Sequence, residues 1–248
     1  MAGMTRVYIG WDPRDATAFE VCRRSLLEAA SIDLEVRALK DWEVRARGIY
    51  WRTHRVDERG QMWDERDGQP FSTAFSYTRY CVPLLEGFGA EPVVFCDADM
   101  LWRADVAELI ERAGTAPVAC VKHAHRPPER EKMTETIQSA YPRKNWSSLM
   151  VLRPNRCRAL TAYAVNNRPR TWLHGMRWVD EADIVALPEA WNWLDGWSDP
   201  AMDAKVAHFT RGTPDMPGHE EAAYAAEWRA LRARIGLFDN PVHHCIEG

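Results

Sequence analysis

The sequence predicts an α/β fold, a single domain with a mostly parallel central sheet flanked by helices. Short strand-like apolar runs alternate with helical stretches along the chain, and the first crossover is long enough to join parallel strands. The length of 248 residues fits one such domain. No apolar run approaches the ~20 residues of a membrane span. The formal net charge of −4 argues against a general nucleic-acid binder.

The N-terminal segment predicts a strand–helix–strand unit. Residues 7–9 form a short β-branched and aromatic run that ends at Gly10, which indicates a strand followed by a loop. Asp15 is expected to cap a helix over residues 16–30, where apolar side chains recur at helical spacing. Residues 34–39 predict the second strand.

The rest of the chain continues the alternation around two polar excursions, 40–70 and 123–143, each of a length typical of functional loops. A short helix is expected near 131–140. The continuous apolar run 92–96 indicates a central strand that is covered on both faces. Further strands are predicted at 118–121, 147–152, 184–187 and 206–209, with apolar character also at 100–102. Helices are predicted at 72–85, 104–113, 157–165 and 220–235, and residues 191–197 predict an aromatic loop.

The six cysteines lie far apart and form no C-x-x-C motif. Most fall in apolar segments, so they are interpreted as reduced core thiols of a cytoplasmic protein. The opening residues show neither a long apolar segment nor a cleavage site, so no signal peptide is expected. Tryptophan numbers 12, with five between Trp172 and Trp197; these counts favour core packing over stacking on sugars.

The sharpest chemical signal is PVVFCDADMLW. A buried strand delivers Asp97 and Asp99 to its carboxyl end, where ligands bind in open α/β sheets. Two buried carboxylates repel each other unless a cation lies between them, and a hard divalent ion such as Mg²⁺ or Mn²⁺ would resolve that repulsion. A solvated turn remains the alternative interpretation of these two residues.

Three further segments carry candidate groups. His208 ends a short apolar run, and a third, imidazole ligand there would favour Mn²⁺ over Mg²⁺; a structural histidine is the alternative. Asp180, Glu181 and Asp183 precede an apolar strand, where one of them is expected to face a cleft unless all three are solvated. The turn 144–148 precedes a strand and contains small hydrogen-bonding residues. These residues can bind the hydroxyl groups of a ligand, or they can only cap the start of the strand.

Together these segments resemble the GT-A nucleotide-sugar glycosyltransferases, most closely glycosyltransferase family 8 and its bacterial relatives. The order and spacing of the motifs agree across residues 6–213. VYIGWDPRD resembles the first strand and the nucleotide-contacting loop of that family, which implies nucleotide contacts at Ile9, Gly10, Trp11 and Asp12. FSYTRYCVPLL resembles the helix whose arginine faces the donor, matched here by Arg79.

The later motifs imply the metal and the donor-sugar contacts. FCDADMLW matches the metal-binding D-x-D, and HFTRG resembles the ending whose histidine is the third ligand. NWSSLMVL resembles the segment that touches the donor sugar, and VDEADIVALPEAWNWL resembles an Asp-Gln-Asp segment followed by a Trp/Tyr-Asn pair. The implied metal ligands are Asp97, Asp99 and His208; the implied donor contacts are Asp97, Ala98, Asp99, Ser147, Ser148, Arg211 and Gly212; the implied catalytic residues are Asp180, Glu181 and Asn145.

The sequence departs from the family pattern at three places. Glu181 stands where the family usually has Gln, and Ser148 stands where it has Gly. The Lys-Pro-Trp that often follows the histidine motif is replaced by TPDMPG, so Arg211 is expected to take over the diphosphate contact of that lysine.

The resemblance implies a GT-A (Rossmann-like) domain over residues 1–248, with a nucleotide-binding half (6–122) and a donor-sugar and acceptor half with the C-terminal helix (123–248). It implies transfer from a UDP-sugar, with retention, to a carbohydrate, glycolipid or other glycosyl acceptor, with Mn²⁺ or Mg²⁺ as cofactor and residues 191–197 beside the acceptor. Peripheral membrane contact stays open.

Two other functions are compatible with a D-x-D motif after a strand. A haloacid-dehalogenase-like phosphatase is disfavoured because Leu101 fills the position where that class needs Thr or Val, and because the motif is not on the first strand. A non-catalytic sugar-nucleotide-binding protein of the same fold remains the alternative.

Overall fold

A computed structural model describes residues 4–124, 130–132, 136–138 and 143–236. The strands are β1 (Thr5–Gly10), β2 (Leu34–Leu39), β3 (His54–Val56), β4 (Met62–Asp64), β5 (Pro70–Phe71), β6 (Val93–Cys96), β7 (Met100–Trp102), β8 (Val118–Val121), β9 (Arg130–Lys132), β10 (Thr136–Gln138), β11 (Leu149–Leu152), β12 (Ile184–Leu187), β13 (Trp193–Leu194) and β14 (Val206–His208). The α-helices are α1 (Ala16–Ala29), α2 (Asp41–Ala46), α3 (Val82–Leu85), α4 (Val106–Ala113), α5 (Ala162–Asn167), α6 (Arg170–Leu173) and α7 (Ala225–Arg234).

The central sheet has six strands in the order β12-β8-β11-β6-β1-β2. The pairs β1–β2, β1–β6 and β8–β12 are parallel, whereas β11 runs antiparallel to both of its neighbours, β6 and β8. The predicted α/β class with a mostly parallel sheet is therefore confirmed. The carboxyl ends of β6, β1 and β2 lie side by side at one edge.

Alternation along the central strands divides the core into two layers, one on each face of the sheet. Val7 and Ile9 of β1 pack with Leu26 of α1 and Leu109 of α4, whereas Tyr8 belongs to the layer on the opposite face. All four residues of β6 are buried, and they divide between the same two layers. This double burial explains why that strand is a continuous apolar run.

A second, three-stranded sheet has the order β13-β14-β7, and its strand β7 directly follows the Asp97-Ala98-Asp99 segment. It packs with α7 around Trp193 and Trp228, both at most 1% exposed. Trp191 is also fully buried, so the core interpretation is confirmed for these tryptophans, whereas Trp197 is 49% exposed. The predicted loop 191–197 thus contains a 3₁₀ turn and a short strand.

Several predicted elements differ from the structure. The excursion 40–70 is ordered as α2 and the antiparallel sheet β3-β4-β5. The predicted helix 72–85 is a 3₁₀ turn (Thr78–Cys81) that continues into α3, because the loop before it is anchored by side chains rather than by helical hydrogen bonds. Where residues 131–140 are described, they form the antiparallel pair β9–β10 instead of a helix.

Two helices begin later in the chain than predicted. The helix predicted at 157–165 begins at Ala162, because the Thr161 hydroxyl caps it by accepting from Ala164 N. The C-terminal helix begins at Ala225 rather than at 220, after Tyr224 in a left-handed conformation (φ 63°). Asp15 precedes α1 as predicted but makes no capping hydrogen bond; the Asp12 side chain instead caps the preceding 3₁₀ turn by accepting from Arg14 N.

Among the helices that the structure describes, none combines the length and the apolar character that a membrane crossing requires. Five cysteines are described as free, buried thiols, and Cys245 lies outside the described residues. Burial raises the pKa of Cys120 and of Cys157 to about 12, as expected for unreactive core thiols.

Candidate functional site

The topology brings Asp97, Asp99 and His208 together at the carboxyl end of the central sheet. Residues 97–99 connect β6 to β7, and β7 pairs antiparallel with β14 so that Met100 lies opposite His208. Phe209 N also donates to Asp99 O at 2.9 Å, which extends this pairing to the acidic residue. The histidine, about 110 positions downstream, is thereby placed directly beside the acidic pair.

The side chains of these three residues form a compact group of potential ligands. One carboxylate oxygen of each aspartate and one ring nitrogen of His208 all lie within 4.8 Å of one another. His208 Nε2 lies 3.2 Å from Asp99 Oδ1. The imidazole is buried, whereas both carboxylates keep a partly exposed side, so a ligand can approach from solvent.

Arg79 is a buried cation that contacts this group through Asp97. Its Nη1 lies 3.0 Å from Asp97 Oδ1 and donates to Ser147 O at 2.9 Å. The guanidinium also lies 5.0 Å from the ring centroid of Phe95 and 5.4 Å from that of Phe75. A buried arginine held between aromatic rings and a carboxylate supplies a fixed positive charge at the site.

A buried hydrogen-bond network joins His208 to the turn 145–148. His208 Nδ1 lies 2.9 Å from Asn192 Oδ1, and Asn192 Nδ2 donates to Ser148 Oγ at 2.9 Å and to Asn145 O at 3.2 Å. Ser148 Oγ in turn donates to Asn145 O at 2.7 Å. Asn145 adopts a left-handed conformation (φ 64°), and its side-chain Nδ2 is buried with no hydrogen-bond partner in the described part of the chain.

Further acidic side chains lie close to this group. Burial, reinforced by the nearby charges of Asp12, Asp99 and Asp215, raises the pKa of Asp15 to about 7. Although burial favours the neutral acid at Asp12, hydrogen bonds from Arg14 and from Ala74 N lower the pKa of its carboxyl. Negative charge collected at one sheet edge favours a bound cation.

The predicted nucleotide-contacting loop is placed at the same edge, at the end of β1. The Asp12 carboxylate is occupied by four donors, from Arg14 N, Nε and Nη2 and from Ala74 N. The Asp12 carboxylate therefore anchors the loop 72–76 against β1 in this structure. Trp11 is half-buried and packs edge-on against Trp42, with the ring centroids 4.8 Å apart.

Asp180 and Glu181 lie in a different environment from the three-residue group. Both are exposed, at the start of the 3₁₀ turn Glu181–Asp183. Glu181 pairs with Lys122 at 3.4 Å and with Arg143, and both cations lie within 6 Å of the Trp146 ring. The structure thus links Glu181 to the turn that contains Asn145 through Arg143.

The remaining predicted residues are placed as follows. Most of the other predicted donor contacts are buried: Ile9, Ala98, Ser147, Ser148 and Gly212. Arg211 is exposed. A Cβ added at Gly10 would lie 2.4 Å from the Phe75 ring, and a Cβ at Gly196 would lie 2.1 Å from Arg211 Nη1. Small residues at these two positions therefore let the loop 72–76 and the Arg211 guanidinium approach closely.

A cleft of about 580 Å³ adjoins the site at the carboxyl ends of β8 and β12. Its walls include Lys122, Glu189, Leu194, Trp197 and Ser198. Leu194 is the residue that pairs with His208 between β13 and β14, so one wall of the cleft lies on the strand next to that of the histidine.

Sequence reasoning assigned no role to several residues of this site. Asn192 belongs to the Trp-Asn pair already noted in the sequence, and that pair was the available signal. Asp15 was expected only to cap a helix, and Lys122 and Arg143 carried no motif signal, because the importance of all three depends on neighbours distant in the sequence.

The ligand atoms of Asp97, Asp99 and His208 suit a divalent metal ion. Two carboxylate oxygens and one imidazole nitrogen are ligands that Mn²⁺ accepts, and the Nδ1 contact of His208 leaves Nε2 on the side of Asp99. Such a group could hold the ion and leave further coordination positions to phosphate oxygens.

Comparison with known proteins finds one similar sequence and several similar structures. No protein-family model matches it. Protein CDI of Arabidopsis thaliana is 32% identical over 231 residues, which cover 90% of this chain and 84% of that protein.

Among solved structures, the bifunctional glycosyltransferase WbbM superposes with a TM-score of 0.63 at 15% identity, covering 94% of this chain and 50% of its own, so this chain spans about half of WbbM. The galactosyltransferase LgtC, solved in complex with donor and acceptor sugar analogs, gives a TM-score of 0.53 at 10% identity and covers 93% of this chain and 96% of its own. GlyE of Streptococcus pneumoniae TIGR4 gives 0.54 at 12% identity, covering 95% of this chain and 61% of its own.

The chain belongs to the family of Arabidopsis Protein CDI and has the GT-A glycosyltransferase fold.

Proposed function

We propose that the protein is a metal-dependent glycosyltransferase that moves a sugar from a UDP-sugar to a carbohydrate, glycolipid or other glycosyl acceptor, with retention at the anomeric carbon. The observation that carries this proposal is the group of Asp97, Asp99 and His208, whose ligand atoms lie within 4.8 Å at the carboxyl edge of a GT-A sheet. The imidazole favours Mn²⁺ over Mg²⁺.

In this proposal Asp97, Asp99 and His208 hold the ion against the donor diphosphate. A bound divalent ion would neutralise the charge that builds on the departing diphosphate. Arg79 adds a second, fixed positive charge behind Asp97, and Arg211 supplies a third from the loop after β14. These cations favour the charge-separated transition state more than the intact donor.

The donor sugar and the nucleotide would be bound by the flanking segments. Residues 9–12 line the nucleotide, and Asn145, Ser147 and Asp180 read sugar hydroxyls. Support comes from Asn145, whose buried Nδ2 has its hydrogen-bonding capacity unused in the described residues. Asp180 or Glu181 lies near the reacting carbon in this proposal and stabilises the positive charge that develops there.

The acceptor would enter through the cleft beside Leu194. Trp197, at 49% exposure, offers an aromatic face to a sugar ring, and Glu189 and Ser198 offer hydrogen-bonding groups. The five buried free thiols favour a reducing compartment, and we extend the proposal to a cytoplasmic location on that basis.

A thermal-shift screen tests the donor and the metal together, using UDP, GDP, CMP and their sugars with and without Mn²⁺. A ligand at 100 times its Kd should stabilise the protein by about 2.7 kcal/mol. We expect this stabilisation with UDP-sugars in the presence of Mn²⁺, and its loss in Asp99→Asn. Asp203→Asn is the matched control, because the Asp203 side chain is 91% exposed on the surface.

Nuclear magnetic resonance of the product's anomeric proton then reports the stereochemistry. Full Mn²⁺-dependent transfer by Asp99→Asn would disprove the metal assignment. Binding of UDP-sugar without transfer or hydrolysis, over a panel of acceptors, would favour the alternative of a non-catalytic sugar-nucleotide-binding protein.

A further inference from the structure

A buried amide connects the candidate metal group to the candidate donor turn. Asn192 is 0% exposed and ends the 3₁₀ turn Glu189–Asn192. Its Oδ1 lies 2.9 Å from His208 Nδ1, and its Nδ2 reaches both Ser148 Oγ and Asn145 O. One side chain therefore touches a metal-ligand residue on one side and the sugar-reading turn on the other.

The chemistry of its neighbours determines which way the amide faces. Asn145 O is a carbonyl and can only accept, so the amide end beside it must be the NH₂ group. The Ser148 hydroxyl donates its hydrogen bond to Asn145 O, and its oxygen accepts from the second N–H of the Asn192 amide. Oδ1 is thus turned toward His208, where it accepts from Nδ1–H.

This orientation decides the tautomer of the imidazole. With the proton on Nδ1, the lone pair of His208 lies on Nε2, which is 3.2 Å from Asp99 Oδ1. A neutral imidazole can offer a metal only its unprotonated nitrogen. Asn192 therefore holds His208 in the form and the direction that ligation requires.

The turn on the other side of the amide is conformationally strained. Arg143 (φ 61°) and Asn145 (φ 64°) are both left-handed without being glycine. Such backbone persists only where its surroundings hold it, and the Asn145 carbonyl is held by Asn192 and by Ser148. The same amide that orients the imidazole thus helps to fix the Asn145 backbone.

We propose that Asn192 is a positioning residue that couples metal binding to donor-sugar binding, because one amide fixes both His208 and the Asn145 turn. This inference rests on the proposed function, since it assumes that the three-residue group binds a divalent ion. A merely structural asparagine would change stability without changing metal affinity in the folded protein.

Two substitutions at Asn192 separate its two contacts. Asn192→Asp keeps an acceptor toward His208 Nδ1 but replaces the donor that faces Asn145 O. Asn192→Leu is of similar size and removes both. Asn166→Asp is the matched control, since Asn166 is also buried, at 4% exposure, and its amide donates to Ile49 O and Ala162 O.

Binding is measured with Mn²⁺ alone, UDP alone and UDP in the presence of Mn²⁺, by calorimetry on folded protein. The absorption spectrum of added Co²⁺ reports the ligand geometry. We expect Asn192→Leu to weaken Mn²⁺ binding about tenfold or more and to alter the Co²⁺ spectrum. We expect Asn192→Asp to keep Mn²⁺ affinity within about threefold, while the tightening of UDP binding by Mn²⁺ falls at least about fivefold.

The possible failures can be told apart. A wild-type protein that binds neither Mn²⁺ nor UDP overturns the proposed function and this inference together. A wild-type protein that binds both, with unchanged affinities and coupling in Asn192→Asp and Asn192→Leu, overturns this inference alone, as does an equal loss in Asn166→Asp. If Asn192→Leu does not fold, Asn192→Asp decides: unchanged coupling between Mn²⁺ and UDP overturns the proposal.

Discussion

Each of the three candidate ligands has a second contact that holds it in place. Asp97 pairs with Arg79, the backbone of Asp99 accepts from Phe209 N, and His208 bonds to Asn192. Paired carboxylates at this spacing would repel if they stood alone. Their arrangement is therefore maintained by neighbouring groups and is available before a ligand arrives, which reduces the cost of ordering on binding.

The exposed carboxylates Asp180 and Glu181 provide a test at the same scale. Glu181→Gln removes one charge from an exposed cluster with Lys122 and Arg143, so we expect a stability change within about 0.5 kcal/mol and retained UDP-sugar binding. Asp180→Ala should lose most of kcat/KM with donor Kd nearly fixed, as for an interaction made mainly in the transition state.

Single-turnover transfer rates and UDP-sugar Kd values for both variants check this expectation. Asp183→Ala serves as the control, because it lies in the same 3₁₀ turn. Wild-type transfer by Asp180→Ala would show that this segment takes no part in the reaction.

Among the elements, the end of β1 and the loop 72–76 act as one unit. Asp12 accepts from Ala74 N at 2.9 Å, Arg14 Nη2 donates to Ser72 O at 2.6 Å, and the Phe75 ring covers Gly10. Phe75 also lies against Arg79, the partner of Asp97. A chain of contacts thus connects the end of the first strand to the candidate metal group.

Gly10→Ala probes this packing directly. The added methyl group would lie 2.4 Å from the Phe75 ring, so the ring must move, and we expect a loss of about 1–3 kcal/mol in the free energy of unfolding. Phe75→Leu in the same chain should recover part of that loss. Urea unfolding of the two single variants and the double variant measures the coupling.

Strictly additive losses in that cycle would contradict the contact. Ala16→Gly at the start of α1 serves as the control for a neighbouring change in the backbone.

On the scale of the whole molecule, the layer of core opposite α1 buries charge as well as apolar surface. Arg52 bonds to Asp64 through both Nε and Nη2, at 2.7 Å each, and lies over the Tyr77 ring. His174 is also buried, and its Nδ1 lies 3.0 Å from the Tyr80 hydroxyl. These buried polar groups join the antiparallel sheet β3-β4-β5 and the helix α5 to the segment 77–80 that precedes α3.

His174 makes global stability depend on pH. Burial, together with the charges of Arg79, Arg170, Arg52 and Lys144, holds the pKa of His174 well below its usual value. Below about pH 6.5 the unfolded chain binds a proton at this residue and the folded chain does not, so folding stability falls as the pH falls. The slope from this residue reaches at most about 1.4 kcal/mol per pH unit.

Urea unfolding between pH 7.5 and 5 for wild type and His174→Gln checks this sign. We expect the stability of wild type to fall more steeply toward pH 5 than that of His174→Gln, which retains a polar partner for Tyr80 but does not titrate. Parallel curves for the two proteins would show that the pKa of His174 is the same in the folded and the unfolded chain, and would contradict this expectation.

Local sequence patterns predicted much of the fold and the acidic pair of the candidate site. The strand β6 reads as buried because four consecutive apolar residues face both core layers, and Asp97 and Asp99 follow it immediately. Such features depend on residues adjacent in the chain, so periodicity and strand-end position reveal them. The resemblance of ordered motifs added His208, which a local pattern cannot distinguish from a core histidine.

The tertiary structure decided the rest. The four buried residues of β11 read the same in either direction, so only pairing with β6 and β8 makes the strand antiparallel. The amide of Asn192 meets Asn145 across 47 positions, and Arg79 meets Asp97 through packing between aromatic rings. Contacts of this kind depend on how layers and strands are stacked, and no propensity or spacing within a short window encodes which distant side chain will be the neighbour.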